Sequence, residues 1–247
     1  MKLSIIGTPL SLTSYFVASR QILDWATHQQ ARVVCAANVH MLMEAHDSPA
    51  YRAILNHADM VTPDGMPLVW MMRLKGARNQ ERVYGPTLTL HVLGLAAQKS
   101  IPVGFYGSES ATLVSLSTRM VQRFPGLRVV YAYSPPFRSL SSIEDDAVCA
   151  EIKASGARVL FVGLGCPRQE QWMDAHRQRL PLVMLGVGAA FDFHAGAKPQ
   201  SPVWLQNLGL EWLYRLLHEP GRLWKRYFYH NPRFVFLAML DLLGWYN

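Results

Sequence analysis

Residues 3–186 alternate short β-prone runs with helix-length runs, and this alternation limits the fold more than any other feature. The β-prone runs fall at 3–7, 32–37, 59–62, 103–106, 128–133, 158–162 and 182–186. Helix-prone runs lie between them, at about 14–29, 41–45, 48–57, 66–74, 86–98, 110–124, 141–155 and 168–179. Ser141 followed by Glu144 forms a capping box at the start of one of these helices. Strands joined by helix-length segments pair in parallel, because only a long crossover returns the chain to the same end of a sheet. The expectation is an α/β fold: a Rossmann-like, mostly parallel sheet with helices on both faces. Such sheets bind ligands beyond the carboxyl ends of their strands.

From Pro202 the β signals stop and only helical ones remain. Four of the seven Trp lie in the last 46 residues, interleaved with Arg215, Arg222, Lys225, Arg226 and Arg233. The expected organisation is an α/β catalytic core over 1–201 and a helical, basic and aromatic, membrane-associating appendage over 202–247. Residues 234–245 are apolar apart from Asp241 and too short to span a bilayer. That run suits the membrane interface or the surface of a partner subunit in a homo-oligomer.

Half of the 247 residues are hydrophobic, enough for a substantial core, and the formal net charge of +7 favours anionic partners. Trp and Leu mixed closely with arginine fit a lipid surface better than a nucleic acid, so no nucleic-acid partner is expected. Three cysteines, an odd number without metal spacing, argue against a disulfide framework and for a reducing compartment. The first apolar run is too short for a signal peptide. These features together place the expected protein in the cytoplasm, peripheral on the inner face of the cell membrane.

Five features carry candidate chemistry. In Thr62-Pro63-Asp64-Gly65-Met66-Pro67, a β-prone run turns sharply into a helix, with Pro67 near its first position, where a missing N–H costs nothing. Asp64 therefore sits at a corner that faces a ligand crevice; the plain alternative is a turn aspartate that caps the helix. Gly163-Leu164-Gly165-Cys166-Pro167-Arg168-Gln169-Glu170 is a strand, a glycine turn and a helix start, suited to phosphate or a nucleotide, though an ordinary βα turn has the same composition. The run 186–196, with Gly188-Ala189-Ala190-Phe191-Asp192 at its centre, offers a crevice wall in which Asp192 or His194 can meet a ligand, though Asp192 can equally cap its own turn and His194 can simply pack. Asn38 and His40, after the second β-prone run, bring polar groups to the crevice, or Asn38 simply holds a turn. Arg215, Arg222 and Arg226 can gather on one helical face, if the Glu219-Pro220-Gly221 break permits, and bind a diphosphate in paired hydrogen bonds; a solvated face is the plain alternative. The sequence has no Asp-x-Asp pair to hold a metal against a nucleotide diphosphate, so cationic side chains would take that role; no metal and no cofactor are expected.

These stretches, with Arg82-Val83-Tyr84-Gly85-Pro86, Gly209-Leu210-Glu211-Trp212-Leu213-Tyr214-Arg215 and Asn231-Pro232-Arg233-Phe234, resemble the WecG/TagA/CpsF glycosyltransferases (glycosyltransferase family 26), in the same order over nearly the whole chain. The resemblance implies transfer of a sugar from a UDP-sugar to an undecaprenyl-diphosphate-linked acceptor, with inversion to a β linkage and without metal. The products feed bacterial surface polysaccharides. It implies Asp64 as the base, Asn38 near the sugar, Gln169 in the nucleotide pocket, and an appendage that brings arginines to the diphosphate and holds the enzyme to the membrane. Arg82, Gly163, Gly165, Arg168 and Asp192 complete the expected substrate contacts. Two positions depart from the family pattern: Ala36 stands where many members have Thr, and Thr87 where many have an acidic residue. A non-catalytic nucleotide-binding module docked on a membrane is the competing reading, and it leaves Asp64 without a task.

Overall fold

The computed structural model describes residues 1–245, so the last two residues of the expected appendage lie outside it. In chain order the elements are β1 (Lys2–Ile5), β2 (Thr8–Ser11), α1 (Tyr15–Thr27), β3 (Arg32–Ala37), α2 (Val39–Asp47), α3 (Pro49–His57), β4 (Met60–Pro63) and α4 (Met66–Leu74). There follow α5 (Gly85–Gln98), β5 (Val103–Gly107), α6 (Ser110–Arg123), β6 (Val129–Tyr133), α7 (Ser142–Ser155), β7 (Val159–Gly163), α8 (Arg168–His176), β8 (Val183–Gly186) and α9 (Ala190–Ala195). The chain ends in α10 (Val203–Asn207), α11 (Glu211–His218) and α12 (Pro220–Leu242). Six strands form a parallel sheet in the order β4-β3-β8-β7-β5-β6, the α/β architecture expected from the alternation.

The chain folds into two compact units, one made of Tyr15–Cys35 and Gly85–Pro199, the other of Met1–Ser14, Ala36–Tyr84 and Gln200–Asn247. In the Tyr15–Cys35/Gly85–Pro199 unit, β5, β7 and β8 are buried almost end to end, as central parallel strands are when both faces are covered. Phe105 packs on Phe161 and, edge to face, on Phe191, with ring centroids 5.6 and 5.5 Å apart. The capping box forms as the sequence requires: Glu144 N–H donates to Ser141 Oγ at 3.3 Å and Ser141 N–H to Glu144 Oε2 at 2.8 Å.

The unit that holds the N- and C-terminal segments begins with a correction to the sequence reading. The first β-prone run does not join the large sheet. It pairs antiparallel with β2 in its own two-stranded sheet, through a two-residue turn in which Ile6 and Gly7 both take positive φ (47° and 71°). Hairpin turns favour that conformation, but a β-branched residue rarely adopts it. Pro9 in so short a strand hides the hairpin from pattern reading.

The long terminal helix α12 is tied down at three points within this unit. Arg233 makes a paired ion bridge to Asp47 at the end of α2. Buried Asp241 accepts from Lys75 Nζ at 2.8 Å and from the Ile6 N–H at 3.2 Å, and Lys75 also donates to Ser4 O at 2.9 Å. The 234–245 run is thus amphipathic in place: Phe234, Ala238 and Asp241 face inward, while Val235, Phe236, Met239 and Leu243 remain exposed. No helix among the described residues is long and apolar enough to cross a membrane.

Candidate active site

The corner at Asp64 is built by backbone hydrogen bonds at the end of β4. The Asp64 and Gly65 N–H groups both donate to Ala37 O, at 2.8 and 3.2 Å, and Val83 N–H donates to Pro63 O at 2.9 Å. Pro67 lies in the first turn of α4, as expected, but the N-cap is Gly65 and no side chain caps the helix. Asp64 is therefore not the helix cap that a turn aspartate would be. Asn38 is a cap: its Oδ1 accepts from Met41 N–H at 3.2 Å at the start of α2.

Asp64 opens into a cavity of ≈ 490 Å³ contained within one unit. Asn38, Arg82, Arg215 and Arg226, all expected substrate contacts, line it with Asp64. Arg222 does not; it is exposed and held by Glu219, whose Oε2 accepts from Nε and Nη2 at 2.6 Å each. The remaining expected contacts lie in the other unit. There Gln169 is buried and spends both ends of its amide: Oε1 accepts from Gly188 N–H at 3.1 Å and Nε2 donates to Glu170 Oε1 at 2.6 Å. Asp192 pairs with Lys198 Nζ at 2.9 Å, and Arg168 lies over the Phe137 ring at 4.9 Å. At Gly163 an added Cβ would stand 2.6 Å from the Phe191 ring, so this glycine is needed for packing. Gly165 has a φ of +79°, the left-handed conformation that glycine tolerates best.

The sequence reading did not single out Glu211, Tyr84 or Gln206, which organise the Asp64 end of the cavity. Arg82 donates to the Asp64 carbonyl oxygen, and its Nη2 lies 3.6 Å from Asp64 Oδ1 and 2.6 Å from Glu211 Oε2. Its Nη1 reaches Gln206 Oε1 at 3.5 Å, its guanidinium covers the Tyr84 ring at 4.0 Å, and Tyr84 O–H donates to Glu211 Oε1 at 3.0 Å. Burial works against the charge of Arg82, but the carboxylates of Asp64 and Glu211 outweigh it and raise the pKa further. Burial, then Glu211 and Asp64, push the Tyr84 phenol well above its ordinary range, so it stays a neutral donor.

This arrangement gives Glu211 a testable role. It shares Arg82 with Asp64, so the arginine does not neutralise Asp64 alone. If Asp64 is the base, as the resemblance implies, then in Glu211→Gln Arg82 turns to Asp64 and weakens it as a base. The expected result is a kcat loss of roughly ten- to hundredfold, equivalent to about 1–3 kcal/mol, with the acid limb of the pH–kcat profile moved to lower pH. A loss without that displacement would mean that Glu211 only supports the fold.

Glycine at 209 is required by its surroundings. Its φ is +70°, and an added Cβ would lie 2.6 Å from the Trp70 ring, which lines the same cavity. Deeper in, burial first, then Arg226 and His230, hold the His40 imidazole down to about 3. Burial and Arg226 also lower His230. His40 is thus neutral throughout the physiological range. Because its folded pKa lies below its ordinary one, its burial costs stability as pH falls below about 6.5.

Among the described residues two trios have the donor types of a metal site: His40, Glu44 and His230, and Asp145, Cys149 and His176. In the first, His40 Nδ1 and His230 Nε2 lie 3.6 and 3.8 Å from Glu44 Oε1. The cationic Arg226 that depresses both imidazoles opposes a dication there. In the second, His176 Nε2 lies 2.9 Å from Asp145 Oδ1, and Arg179 takes the other carboxylate oxygen.

The Glycosyl transferase WecG/TagA/CpsF family model matches residues 3–247. A relative from Bacillus spizizenii, named N-acetylglucosaminyldiphosphoundecaprenol N-acetyl-beta-D-mannosaminyltransferase, is 34% identical over 195 residues, 78% of this chain and 73% of the relative. A relative of the same name from Bacillus subtilis is 29% identical over 196 residues, 78% of this chain and 74% of its own length. A carboxylate at a strand-to-helix corner, in a cavity shared with arginines, is a setting in which sugar transfer is feasible. With the match across the chain, it follows that this protein belongs to the WecG/TagA/CpsF family of glycosyltransferases.

Proposed function

We propose that this glycosyltransferase moves a sugar from a UDP-sugar to a polyprenyl-diphosphate-linked N-acetylglucosamine, with inversion and without a metal ion. The observation that carries the reading is a single cavity with Asp64 and Arg82, Arg215 and Arg226 at one end and an apolar limb at the other. The relatives' names support the acceptor class. Asp64 takes the proton of the attacking hydroxyl while its oxygen forms the new bond to the anomeric carbon. The bond from that carbon to UDP breaks, and its electron pair leaves on the β-phosphate. Arg215 and Arg226 stabilise the charge that grows on the diphosphate, the task of preorganised cations in a water-poor site. Arg82 is a positioning residue, because its donors already serve Asp64 and Glu211. Asn38 is assigned to the sugar.

A panel of UDP-sugars with N-acetylglucosaminyl-diphospho-lipid, read by product mass and anomeric NMR, tests the assignment. One β-linked product, formed at the same rate in excess EDTA, is expected. Loss of rate in EDTA would remove the metal-independent mechanism, and absence of transfer from every UDP-sugar would remove the donor class.

The same reading places the enzyme on the inner face of the cell membrane. Helices α10 to α12 expose Trp204, Leu217, Trp224, Phe228 and Phe236, with Lys225 and Arg222 among them. Aromatic and cationic groups so mixed suit the headgroup boundary. Sedimentation with vesicles containing anionic lipid should retain the protein at low salt. Phe228→Asp combined with Trp224→Asp should cut the bound fraction at least tenfold while leaving the melting temperature within a few degrees, since both sites are exposed. Equal binding by the double variant would exclude this face as the membrane contact.

A further inference from the structure

The cavity at Asp64 is longer than a sugar and a diphosphate require, and its far limb is of a different character. Helices α4 and α12 face each other there with residues four apart on each: Met66, Trp70 and Leu74 on one, Phe234, Ala238 and Leu242 on the other. The floor is buried, with Met71, Phe234 and Ala238 each 5–6% exposed, whereas Leu74 and Met239 on the rim are 69% and 60% exposed. This is a trough open along one side. No charged side chain lines it beyond the Asp64 end. The charges nearest its far end, Lys75 and Asp241, bond to each other and to the Ser4–Ile6 backbone. That clamp fixes the end of α12 to the end of α4 and so sets the width of the trough.

An occupant that uses the whole cavity must be an amphiphile, with a hydroxylic, anionic head at Asp64 and the arginines and a hydrocarbon along α4 and α12. A sugar nucleotide has no apolar part and would leave the trough empty. We propose that the trough holds the first isoprene units of the acceptor's polyprenyl chain, so that the lipid, besides the sugar, sets the position of the attacking hydroxyl. The proposal rests on the acceptor class given under Proposed function. Each helix runs for about 12 Å along the trough, from its helical rise. An extended chain covers ~3.5 Å per three bonds, so a four-bond isoprene unit takes ~4.6 Å and the trough accommodates about two to three units. A lipid arriving from a bilayer leaves one apolar medium for another and gains little by transfer, which makes the trough a positioning device. A soluble short-chain acceptor arrives from water. For it each methylene buried tightens binding by up to about fourfold.

The test compares N-acetylglucosaminyl diphosphates carrying methyl, geranyl, farnesyl and geranylgeranyl chains, below their aggregation limits and without vesicles. KM should fall at least tenfold from methyl to farnesyl and level off beyond it, as the trough fills. Ala238→Trp, which fills the floor, should raise KM for the farnesyl acceptor about tenfold and leave the methyl acceptor unchanged. Met239→Glu, at the exposed rim where folding is not at stake, should act in the same direction. Farnesyl diphosphate alone, titrated by calorimetry, should bind the wild type and bind both variants at least fivefold more weakly. Transfer with a KM indifferent to chain length would overturn the trough and leave the acceptor class standing. Farnesyl diphosphate binding that both variants weaken, without transfer to any acceptor, would keep the trough and overturn the acceptor class. An equal KM rise for methyl and farnesyl acceptors in both variants would mean a general disturbance of the site, and overturns the assignment.

Discussion

Replacing Asp64 with Asn is expected to lower kcat by about 10²- to 10⁴-fold, the range that general-base assistance supplies, with the dissociation constant for UDP unchanged. The substitution separates chemistry from structure because the corner does not depend on the carboxylate. The Asp64 N–H bond to Ala37 O, the neighbouring Gly65 bond and the Arg82 bond to the Asp64 carbonyl all involve main chain and remain in the variant. Arg82 keeps Glu211 at 2.6 Å. What disappears is the proposed proton acceptor and a negative charge 3.6 Å from Arg82. The melting temperature should therefore stay within a few degrees of wild type, and any residual activity should lose the acid limb of its pH profile. A variant that keeps more than a tenth of the rate would show that another group takes the proton.

The turn at the corner was readable in the sequence because its markers are local, although the bonds that hold it reach Ala37 and Val83. Pro63, Gly65 and Pro67 fix a sharp turn between an apolar strand and an apolar helix. The same holds for the Ser141–Glu144 box and for glycines at positive φ, such as Gly165. Partners distant in sequence were not readable. Glu211 meets Arg82 across 129 positions, and only the fold brings them together. Gln169 lies in a conspicuous run, yet its amide also closes on Gly188, 19 residues on, so a local motif concealed a structural task. Arg222 and Arg226 are a helical turn apart and read as one face, but Arg222 lies in the first turn of α12, beside a Glu219 that captures it. Pattern reading recovers spacing along a helix; it does not recover which neighbour competes for a charge. The family match then decides between the two functional readings, since a non-catalytic module would give Asp64 and its arginine cluster no work.

Competition for charge also sets the second large effect. Arg226 is half-buried on α12, lines the cavity and is the charge that acts most strongly on the His40 and His230 imidazoles after burial itself. In the proposed reaction, a guanidinium held this way meets the leaving diphosphate with little reorganisation. Arg226→Ala is expected to lower kcat by about 10²- to 10³-fold, as loss of one preorganised donor does elsewhere. Arg226→Lys restores the charge without the planar fork, so it should recover part of the loss and remain about tenfold below wild type. Arg222→Ala, which removes an exposed guanidinium already paired to Glu219, should cost less than threefold. The histidines supply a readout that is independent of turnover. Removing the cation favours the protonated imidazoles, so the NMR titrations of His40 and His230 should both move upward in Arg226→Ala and stay put in Arg222→Ala. If the two alanine variants lose activity alike, the diphosphate is not held by the arginines that line the cavity. If Arg226→Ala loses activity while the imidazoles do not move, the side chain acts through the packing of α12 rather than through its charge.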